Sequence, residues 1–366
     1  MLEINKIYNM DCIEGMKLMD DESVNCCVTS PPYWGLRDYG VPGQLGLEKT
    51  PEEYVSKMVE VFREVKRVLR DDGTLWLNLG DSYASSQAAG DKKFGKEEFN
   101  KNRPAREFTV TPKREKPKNL KSKDLVGIPW MVAFALRADG WYLRSDIIWH
   151  KPNPMPESVT DRPTKAHEYI FLLSKSSRYY YDIESIKEIA KESSIQRLSQ
   201  DIDNQEGRQR ANGGAKTNGA MKAVKFGGNK ADGYGDRRKS GKEWNPKQER
   251  KMLQYNGQRP NSKEILREQG IRDKTYIMVN KRSVWTVATV PFKESHFATF
   301  PPKLIEPCIL AGCPKDGIVL DPFMGSGTTA MVAAQLQRNY IGFELNPKYI
   351  TIAEKSKLKN IQLKIV

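Results

Sequence analysis

Cysteine and histidine are scarce in this sequence, which has five cysteines and three histidines among 366 residues. The cysteines, at positions 12, 26, 27, 308 and 313, show no regular spacing, and no Cys or His pair has the spacing of a zinc site. Neither a disulfide framework nor a metal is therefore expected. Long apolar runs are also lacking. The best, from Gly127 to Leu136, is about half of a membrane span, and the charged N-terminus is unlike a secretion signal. We expect a cytoplasmic protein without a membrane partner.

Acidic residues are too few to balance the basic ones, and the formal net charge is +14. Residues 85–124 carry 12 basic and 6 acidic side chains, and residues 191–283 carry 22 and 11, so the remaining chain is slightly acidic. Both segments lack periodic apolar residues, which predicts flexible or partner-ordered structure. Rings stack on bases while Arg and Lys hold phosphates, so the aromatics of the second segment indicate a nucleic acid partner. These aromatics are Phe226, Tyr234, Trp244 and Tyr255.

Short apolar runs alternate with amphipathic stretches outside the two basic segments. The runs at 23–29, 74–79, 145–149, 169–173, 317–321 and 340–345 predict strands. Residues 54–69 and 328–338 have apolar positions at helical spacing. This alternation predicts an α/β fold with a mostly parallel, doubly wound sheet.

The C-terminal string GIVLDPFMGSGTT has the pattern of a nucleotide-binding βαβ unit. Gly325 and Gly327 allow the backbone to approach a ligand, and Glu344 follows the second strand, where a carboxylate can accept hydrogen bonds from ribose hydroxyls. The third glycine of a dinucleotide motif and the lysine of a P-loop are both missing. The pattern therefore indicates another kind of nucleoside ligand.

A second motif follows the strand at 23–29, where the chain continues as Ser30-Pro31-Pro32-Tyr33-Trp34. Two prolines end a strand because neither donates to the ladder. They also hold a rigid turn that presents a hydroxyl, free carbonyls and an aromatic ring at the carboxyl edge of the sheet. Such a turn suits a planar base with an exocyclic amino group. Ligands of open α/β sheets bind at this edge, so we expect the two motifs to share one crevice.

Together, TSPPYW and DPFMGSGTT resemble the DNA amino-methyltransferases that use S-adenosylmethionine, and the motif order resembles their permuted β class. The resemblance implies a circularly permuted Rossmann-like methyltransferase fold with neighbouring termini, a prokaryotic or phage source, S-adenosylmethionine as cofactor and no metal. It implies catalytic roles for Ser30, Pro31, Pro32 and Tyr33. The cofactor would contact Asp11, Phe300, Lys303, Asp321, Phe323, Gly325, Ser326, Gly327, Thr328 and Glu344. The target pocket would include Trp34, Trp149, Lys151 and Asn153.

The resemblance further implies that residues 1–190 form the catalytic half of the methyltransferase domain, with a basic loop at 85–124. Residues 191–283 form a partly flexible target-recognition insert, and residues 284–366 the cofactor-binding half. Double-stranded DNA is the expected partner, with a homodimer and a cognate restriction endonuclease left open. Candidate DNA contacts are Arg237, Arg238, Lys239 and Lys242.

The implied reaction is methyl transfer to the amino group of a flipped-out base, since that group is unreachable inside the duplex. In the resembled family, Ser at the position of Ser30 favours N4 of cytosine, with N6 of adenine as the alternative. A non-catalytic DNA-binding protein on the same fold is an alternative of another class, and an RNA or protein methyltransferase is a third.

Three other features have competing readings. Cytosine C5 methylation needs a Cys nucleophile, but Cys308 falls in an expected helix, which predicts core packing. His150, His167 and His296 are expected to be structural. Asp81 either ends a strand or borders the pocket.

Overall fold

The structure is a computed structural model that describes residues 2–84, 119–190, 278–289 and 300–359. Most of both basic segments, all four candidate DNA contacts and His296 lie outside the described residues. The chain forms two compact units, of which one comprises Met1–Lys187 with Asn280–Val366 and the other Glu188–Val279. The roles assigned to the three sequence segments stay predictions.

The elements follow in chain order. They are β1 (Lys6–Tyr8), α1 (Cys12–Lys17), β2 (Val24–Thr29), α2 (Pro51–Val68), β3 (Leu69–Leu79), α3 (Ile128–Ala138), β4 (Tyr142–His150), β5 (His167–Ser174), a 3₁₀ turn (Glu184–Ile186), β6 (Glu188–Ile189), β7 (Met278–Val279), β8 (Val284–Thr286), α4 (Pro302–Gly312), β9 (Ile318–Asp321), α5 (Thr328–Gln335), β10 (Asn339–Phe343) and α6 (Pro347–Ile352). A π-helical stretch, Ala353–Leu358, follows α6. In the second unit, β6 and β7 pair antiparallel.

Eight strands of the first unit form one sheet in the order β1-β10-β9-β2-β3-β5-β4-β8. Strand β5 runs antiparallel to both neighbours, and every other pairing is parallel. The predicted α/β class and mostly parallel sheet are therefore confirmed. Strand β1 pairs with β10 near the other end of the chain, as expected for neighbouring termini. Circular permutation relative to the resembled family stays a prediction.

Helices cover both faces of this sheet, because alternate residues of the central strands are apolar on both sides. On β3, Leu75 and Leu77 face a core shared with α1, α2 and α3, whereas Trp76 faces the core shared with α4 and α5. Cys27 and Cys26 of β2 divide in the same way. Burying one such large apolar side chain contributes about 1.5–3 kcal/mol, so these two cores hold the three layers together.

Helix α2 shows how local sequence fixes an element that supports the site. The hydroxyl of Thr50 accepts the Glu53 N–H at 3.1 Å and Pro51 stands in the first turn, both typical of a helix start. Its apolar face, predicted from the helical spacing, buries Tyr54, Met58 and Phe62.

The described residues contain no helix that is long and apolar enough to cross a membrane. Nor does this part of the chain group three or more His, Cys, Asp or Glu side chains in a way that could hold a metal ion. All five cysteines are free and buried.

Candidate active site

The two sequence motifs leave the sheet side by side. Strands β2 and β9 are parallel neighbours with Cys27 opposite Leu320, so Ser30 and Pro322 follow their carboxyl ends at the same edge. From β9 the chain continues to β10 on one side, and from β2 to β3 on the other. This is a topological switch point, where open α/β sheets form their ligand crevices.

A cavity of about 310 Å³ opens at this edge, a size typical of small-ligand sites. It brings together eleven of the predicted site residues. They are Asp11, Ser30, Pro31, Pro32, Tyr33, Phe300, Phe323, Gly325, Ser326, Thr328 and Glu344. The segment 36–45, Glu168, Asn346 and Tyr349 contribute further walls.

Asp321 does not line the cavity, but its carboxylate connects the two motifs. It is 1% exposed, and its carboxylate accepts the hydroxyls of Thr29 and Thr329, both at 2.6 Å, and the Phe323 N–H at 3.0 Å. Burial raises the pKa of Asp321 to about 6, although the three donors oppose that shift. Asp321 thus ties the end of β2 to the loop after β9 and to the first turn of α5.

The glycine loop after β9 needs backbone conformations that other residues rarely adopt. Gly325 has φ +54° and its N–H donates to Oε2 of Glu344 at 2.9 Å. Gly327, at φ +80°, precedes α5, and a Cβ there would lie 2.6 Å from the Cβ of Ala353. Both positions therefore favour glycine for conformation, and Gly327 also for space.

Glu344 occupies the end of β10, as the βαβ pattern predicts. Its second oxygen accepts the Asn346 N–H at 2.8 Å, and burial raises the pKa of the carboxyl. Asp11 lines the cavity from the start of α1, where its Oδ1 accepts the N–H groups of Ile13 and Glu14 at 2.8 and 3.2 Å. Two acidic side chains of fixed orientation therefore border this half of the cavity.

The other half of the cavity contains the Ser30–Tyr33 turn. The Pro32 carbonyl accepts the Tyr54 hydroxyl at 2.8 Å, which anchors the turn to α2. Among the described residues, no donor reaches the Pro31 carbonyl. The ring of Tyr33 packs closely on the backbone after β3, since a Cβ on Gly80 would come within 2.4 Å of it. Ser30 and Tyr33 are thus held in fixed positions at the cavity wall.

The hydroxyl of Tyr33 lies in a polar cluster formed by the edges of three strands. It receives the Ser30 hydroxyl at 3.5 Å and lies 2.7 Å from Oε2 of Glu168 and 3.2 Å from Oδ1 of Asn78. Glu168 also forms an ion pair with Lys151. Burial and the nearby Glu168 charge hold the pKa of Tyr33 well above its usual value, so the phenol stays protonated.

Seven predicted site residues do not line the cavity: Asp321, Gly327, Lys303, Trp34, Trp149, Lys151 and Asn153. Trp34 is buried in the core and donates its indole N–H to the Glu48 carbonyl. Trp149 is also buried, and Lys151 lies over its ring at 4.3 Å. Asn153 pairs with the backbone of Thr289 through both amide atoms. Lys303 is exposed in the first turn of α4.

Asp81, Cys308 and His150, for which the sequence suggests more than one role, have the contacts of structural residues. Asp81 accepts the N–H groups of Gly127 and Ile128 and so caps the start of α3, which favours the strand-end reading. Cys308 is fully buried in α4 and burial raises its thiol pKa, which excludes it as an exposed nucleophile. His150 contacts the Thr286 hydroxyl at 3.1 Å.

Glu168 is one of the cavity residues that were not among the predicted site residues. It stands at the start of β5, and this start reaches the ligand edge only because β5 is antiparallel. A parallel strand would have placed the same residue at the opposite edge. The sequence HEYIFLLS shows an acidic residue before an apolar run, but it does not show in which direction the strand runs in the sheet. The wall formed by segment 36–45 carried no motif either.

Comparison with known proteins gives consistent results. A family model described as DNA methylase, covering N6 and N4 methyltransferases, matches residues 24–355. The chain is 40% identical to the Type II methyltransferase M.Cfr9I of Citrobacter freundii, over 96% of this chain and 88% of that protein. It is likewise 40% identical to M.SmaI of Serratia marcescens, over 97% and 91%.

Solved structures show the same fold at low identity. The cytosine-N4-specific PvuII DNA methyltransferase matches with a TM-score of 0.54 and 16% identity over 98% of this chain and 92% of that one. A putative DNA modification methylase of Thermus thermophilus, solved with S-adenosyl-L-methionine, matches with a TM-score of 0.50 and 18% identity, over 97% and 94%.

Proposed function

Since this chain belongs to the family of DNA amino-methyltransferases, we propose that it methylates N4 of a cytosine flipped out of double-stranded DNA, using S-adenosylmethionine. The observation that carries the proposal is the single cavity shared by the Ser30–Tyr33 turn and the glycine loop. One half offers acceptors and an aromatic ring for a base, and the other offers acids and backbone donors for a nucleoside.

The donor set of the second half fits S-adenosylmethionine. Each carboxylate oxygen of Glu344 accepts one backbone N–H and has a further lone pair for a ribose hydroxyl. Phe323 and Tyr349 supply apolar surface for an adenine ring. The first turn of α5 begins at Thr328 without a side-chain cap, so its N–H groups suit a carboxylate. When bound, this cofactor supplies an electrophilic methyl group on its sulfonium.

The residues of the first half suit an exocyclic amino group. The hydroxyl of Ser30 and the carbonyl of Pro31 would accept its two hydrogens, which localises the nitrogen lone pair for attack on the methyl group. Tyr33 would stack on the base. Positioning of two bound reactants can contribute roughly 7–11 kcal/mol at best, so no covalent enzyme intermediate is needed.

The choice of cytosine N4 rests on Ser30, the residue type that goes with N4 in the resembled family. Both amino groups offer two hydrogens next to a ring nitrogen, so these acceptors alone do not separate cytosine from adenine. The experiment must therefore distinguish methylation of cytosine N4 from methylation of adenine N6.

The test is to incubate unmodified DNA with the protein and labelled S-adenosylmethionine, digest it to nucleosides and identify the product by mass spectrometry. N4-methylcytosine supports the proposal, and N6-methyladenine would replace its choice of base. Ser30→Ala should lose transfer while it keeps DNA affinity. If wild-type protein labels no DNA and both proteins bind DNA alike, the non-catalytic alternative replaces the proposal.

DNA recognition is proposed for the basic insert, with Arg237, Arg238, Lys239 and Lys242 as phosphate contacts. Deleting residues 206–242 should abolish sequence selectivity and reduce the salt dependence of DNA binding, while cofactor affinity is unchanged. Unchanged selectivity would move recognition elsewhere. A homodimer and a cognate endonuclease are further proposals, tested by sedimentation velocity and by protection of modified DNA from cleavage.

A further inference from the structure

The hydrogen bonds of Ser30 and Tyr33, at the target half of the cavity, run in one direction toward Glu168. The Ser30 hydroxyl donates to the Tyr33 hydroxyl at 3.5 Å, and the Tyr33 hydroxyl donates to Oε2 of Glu168 at 2.7 Å. With its hydrogen used in this way, Ser30 presents lone pairs to the cavity. All three residues line the cavity, so a series of donors leads from the amino-group position to a carboxylate.

Other contacts keep this arrangement in place. The amide nitrogen of Asn78 donates to the Tyr169 carbonyl at 3.0 Å and lies 3.4 Å from Oε2 of Glu168. The close approach of Gly80 to the Tyr33 ring fixes the direction of the phenol. The arrangement is thus built by β3 and β5 and exists without a bound base.

Basic side chains surround the carboxylate of Glu168 and hold it in place. Lys151, at the end of β4, pairs with Oε1 of Glu168, and both side chains are less than one-fifth exposed. Lys165 and His167 also interact electrostatically with Glu168, although burial lowers the pKa of both. Oε1 is held by Lys151 and Oε2 by Tyr33, so the carboxylate can accept a proton on the side of the phenol.

Methylation of an amino group requires the removal of a proton. The nitrogen lone pair forms the new N–C bond while the S–C bond breaks, and the electron pair of that bond stays on sulfur. The methylated nitrogen is then cationic until one of its two N–H protons leaves. General-base assistance to such a step typically contributes 10²–10⁴-fold in rate.

We propose that Glu168 is the terminal acceptor of this proton, which reaches it through the hydroxyls of Ser30 and Tyr33. The target nitrogen gives its proton to the Ser30 oxygen, Ser30 gives its own to the Tyr33 oxygen, and Tyr33 gives its own to Oε2 of Glu168. Both hydroxyls end neutral, and the carboxylate becomes a carboxylic acid that later releases the proton to water. The inference rests on the proposed amino-group methylation, but it holds for cytosine and adenine alike.

The experiment measures single-turnover methyl transfer with DNA and cofactor saturating. Tyr33→Phe breaks the chain and keeps the ring, whereas Glu168→Gln keeps an acceptor atom without the base. Each should slow transfer by about 10²-fold, the low end of general-base effects. Because both residues act in one relay, their rate losses should not multiply. The transfer rate of the double variant should lie within about threefold of the rate of either single variant.

Matched controls remove the same groups elsewhere. Tyr142→Phe deletes an exposed phenol that does not line the cavity, and Glu157→Gln neutralises a carboxylate that pairs with Arg162. Both should transfer at the wild-type rate. Calorimetry should give all single variants wild-type affinity for S-adenosylmethionine, which shows that they are folded.

A chemical rescue separates proton transfer from mere positioning. Formate added to Glu168→Ala should restore single-turnover transfer in proportion to the formate anion concentration, whereas Glu157→Ala should not respond. Wild-type rates in Tyr33→Phe and Glu168→Gln, additive losses in the double variant, or no rescue would each overturn the relay. Failure of wild-type protein to methylate an amino group would instead refute the proposed function.

Discussion

Replacing Asp321 by Asn should change the pH dependence of stability more than stability itself. The two side chains have nearly the same shape, but Asn cannot ionise. The carboxyl of Asp321 has a pKa of about 6 in the folded chain, against 3.8 as its ordinary value, because it is buried. The difference between these two pKa values corresponds to roughly 3 kcal/mol of stability between low and high pH.

The direction of the effect follows from proton binding. Between pH 4 and 6 the folded chain holds a proton on Asp321 that the unfolded chain has released, so its contribution is fully present below the unfolded pKa and is lost as pH rises through about 6. From pH 4.5 to 8 this loss amounts to about 2 kcal/mol in wild-type protein. Asp321→Asn cannot ionise, so its free energy of unfolding relative to wild type should increase by about 2 kcal/mol from pH 4.5 to pH 8.

Urea unfolding at pH 4.5 and pH 8, followed by circular dichroism, measures the difference. Asp316→Asn is the matched control, because Asp316 is exposed at the other end of β9. Asp321→Ala should instead lose about 3 kcal/mol or more at both pH values, since it leaves three buried donors without an acceptor at about 1–3 kcal/mol each. If the difference between Asp321→Asn and wild type is equal at the two pH values, the argument from burial is wrong.

Three further predictions concern the cavity, its glycine loop and Lys357, whose ammonium donates to the Ser326 hydroxyl of that loop at 2.8 Å. Gly80→Ala should slow methyl transfer at least tenfold without weakening cofactor binding, because the new Cβ displaces the Tyr33 ring; an unchanged rate would contradict the packing. Glu344→Gln should weaken cofactor binding about tenfold by calorimetry, roughly one charge-assisted hydrogen bond, and wild-type affinity would argue against ribose contact. Burial lowers the pKa of Lys357 from 10.5 to about 8, so its folded state favours the neutral amine. Wild-type stability should therefore rise by about 2.5 kcal/mol from pH 7 to 10, and Lys357→Met should lose this rise in urea unfolding.

The strands were predictable where burial is continuous. Runs such as 317–321 and 340–345 are buried on both faces, so they stand out as unbroken apolar stretches. Strand β4 begins three residues before its predicted start because its first half alternates with exposed residues. Strand β8 is three residues long and mostly exposed, and no hydrophobic pattern marks it.

The site was predictable where one local motif supplies both the residue and its backbone geometry. Ser30 and Glu344 each end a strand, and the strand pattern itself places them at the ligand edge. Glu168 and Asn78 depend instead on the pairing of β3 with β5 and on its antiparallel direction, which is a tertiary property. Trp34 was predicted for the target pocket from its proximity to a motif, and in the structure its side chain is buried in the core.

Asp321 limits how far the two halves of the cavity can move apart. Thr29 directly precedes the residue that would hold the base, and Thr329 lies in the first turn of the helix that would face the cofactor, yet both donate to one carboxylate. A hydroxyl lost at either end would leave cofactor affinity largely intact while the reacting atoms lose alignment. Misplacement by about 1 Å can cost 10²-fold in rate. Thr29→Val should therefore lower the single-turnover rate far more than it weakens cofactor binding, and equal losses in both would show that Asp321 supports only the cofactor loop.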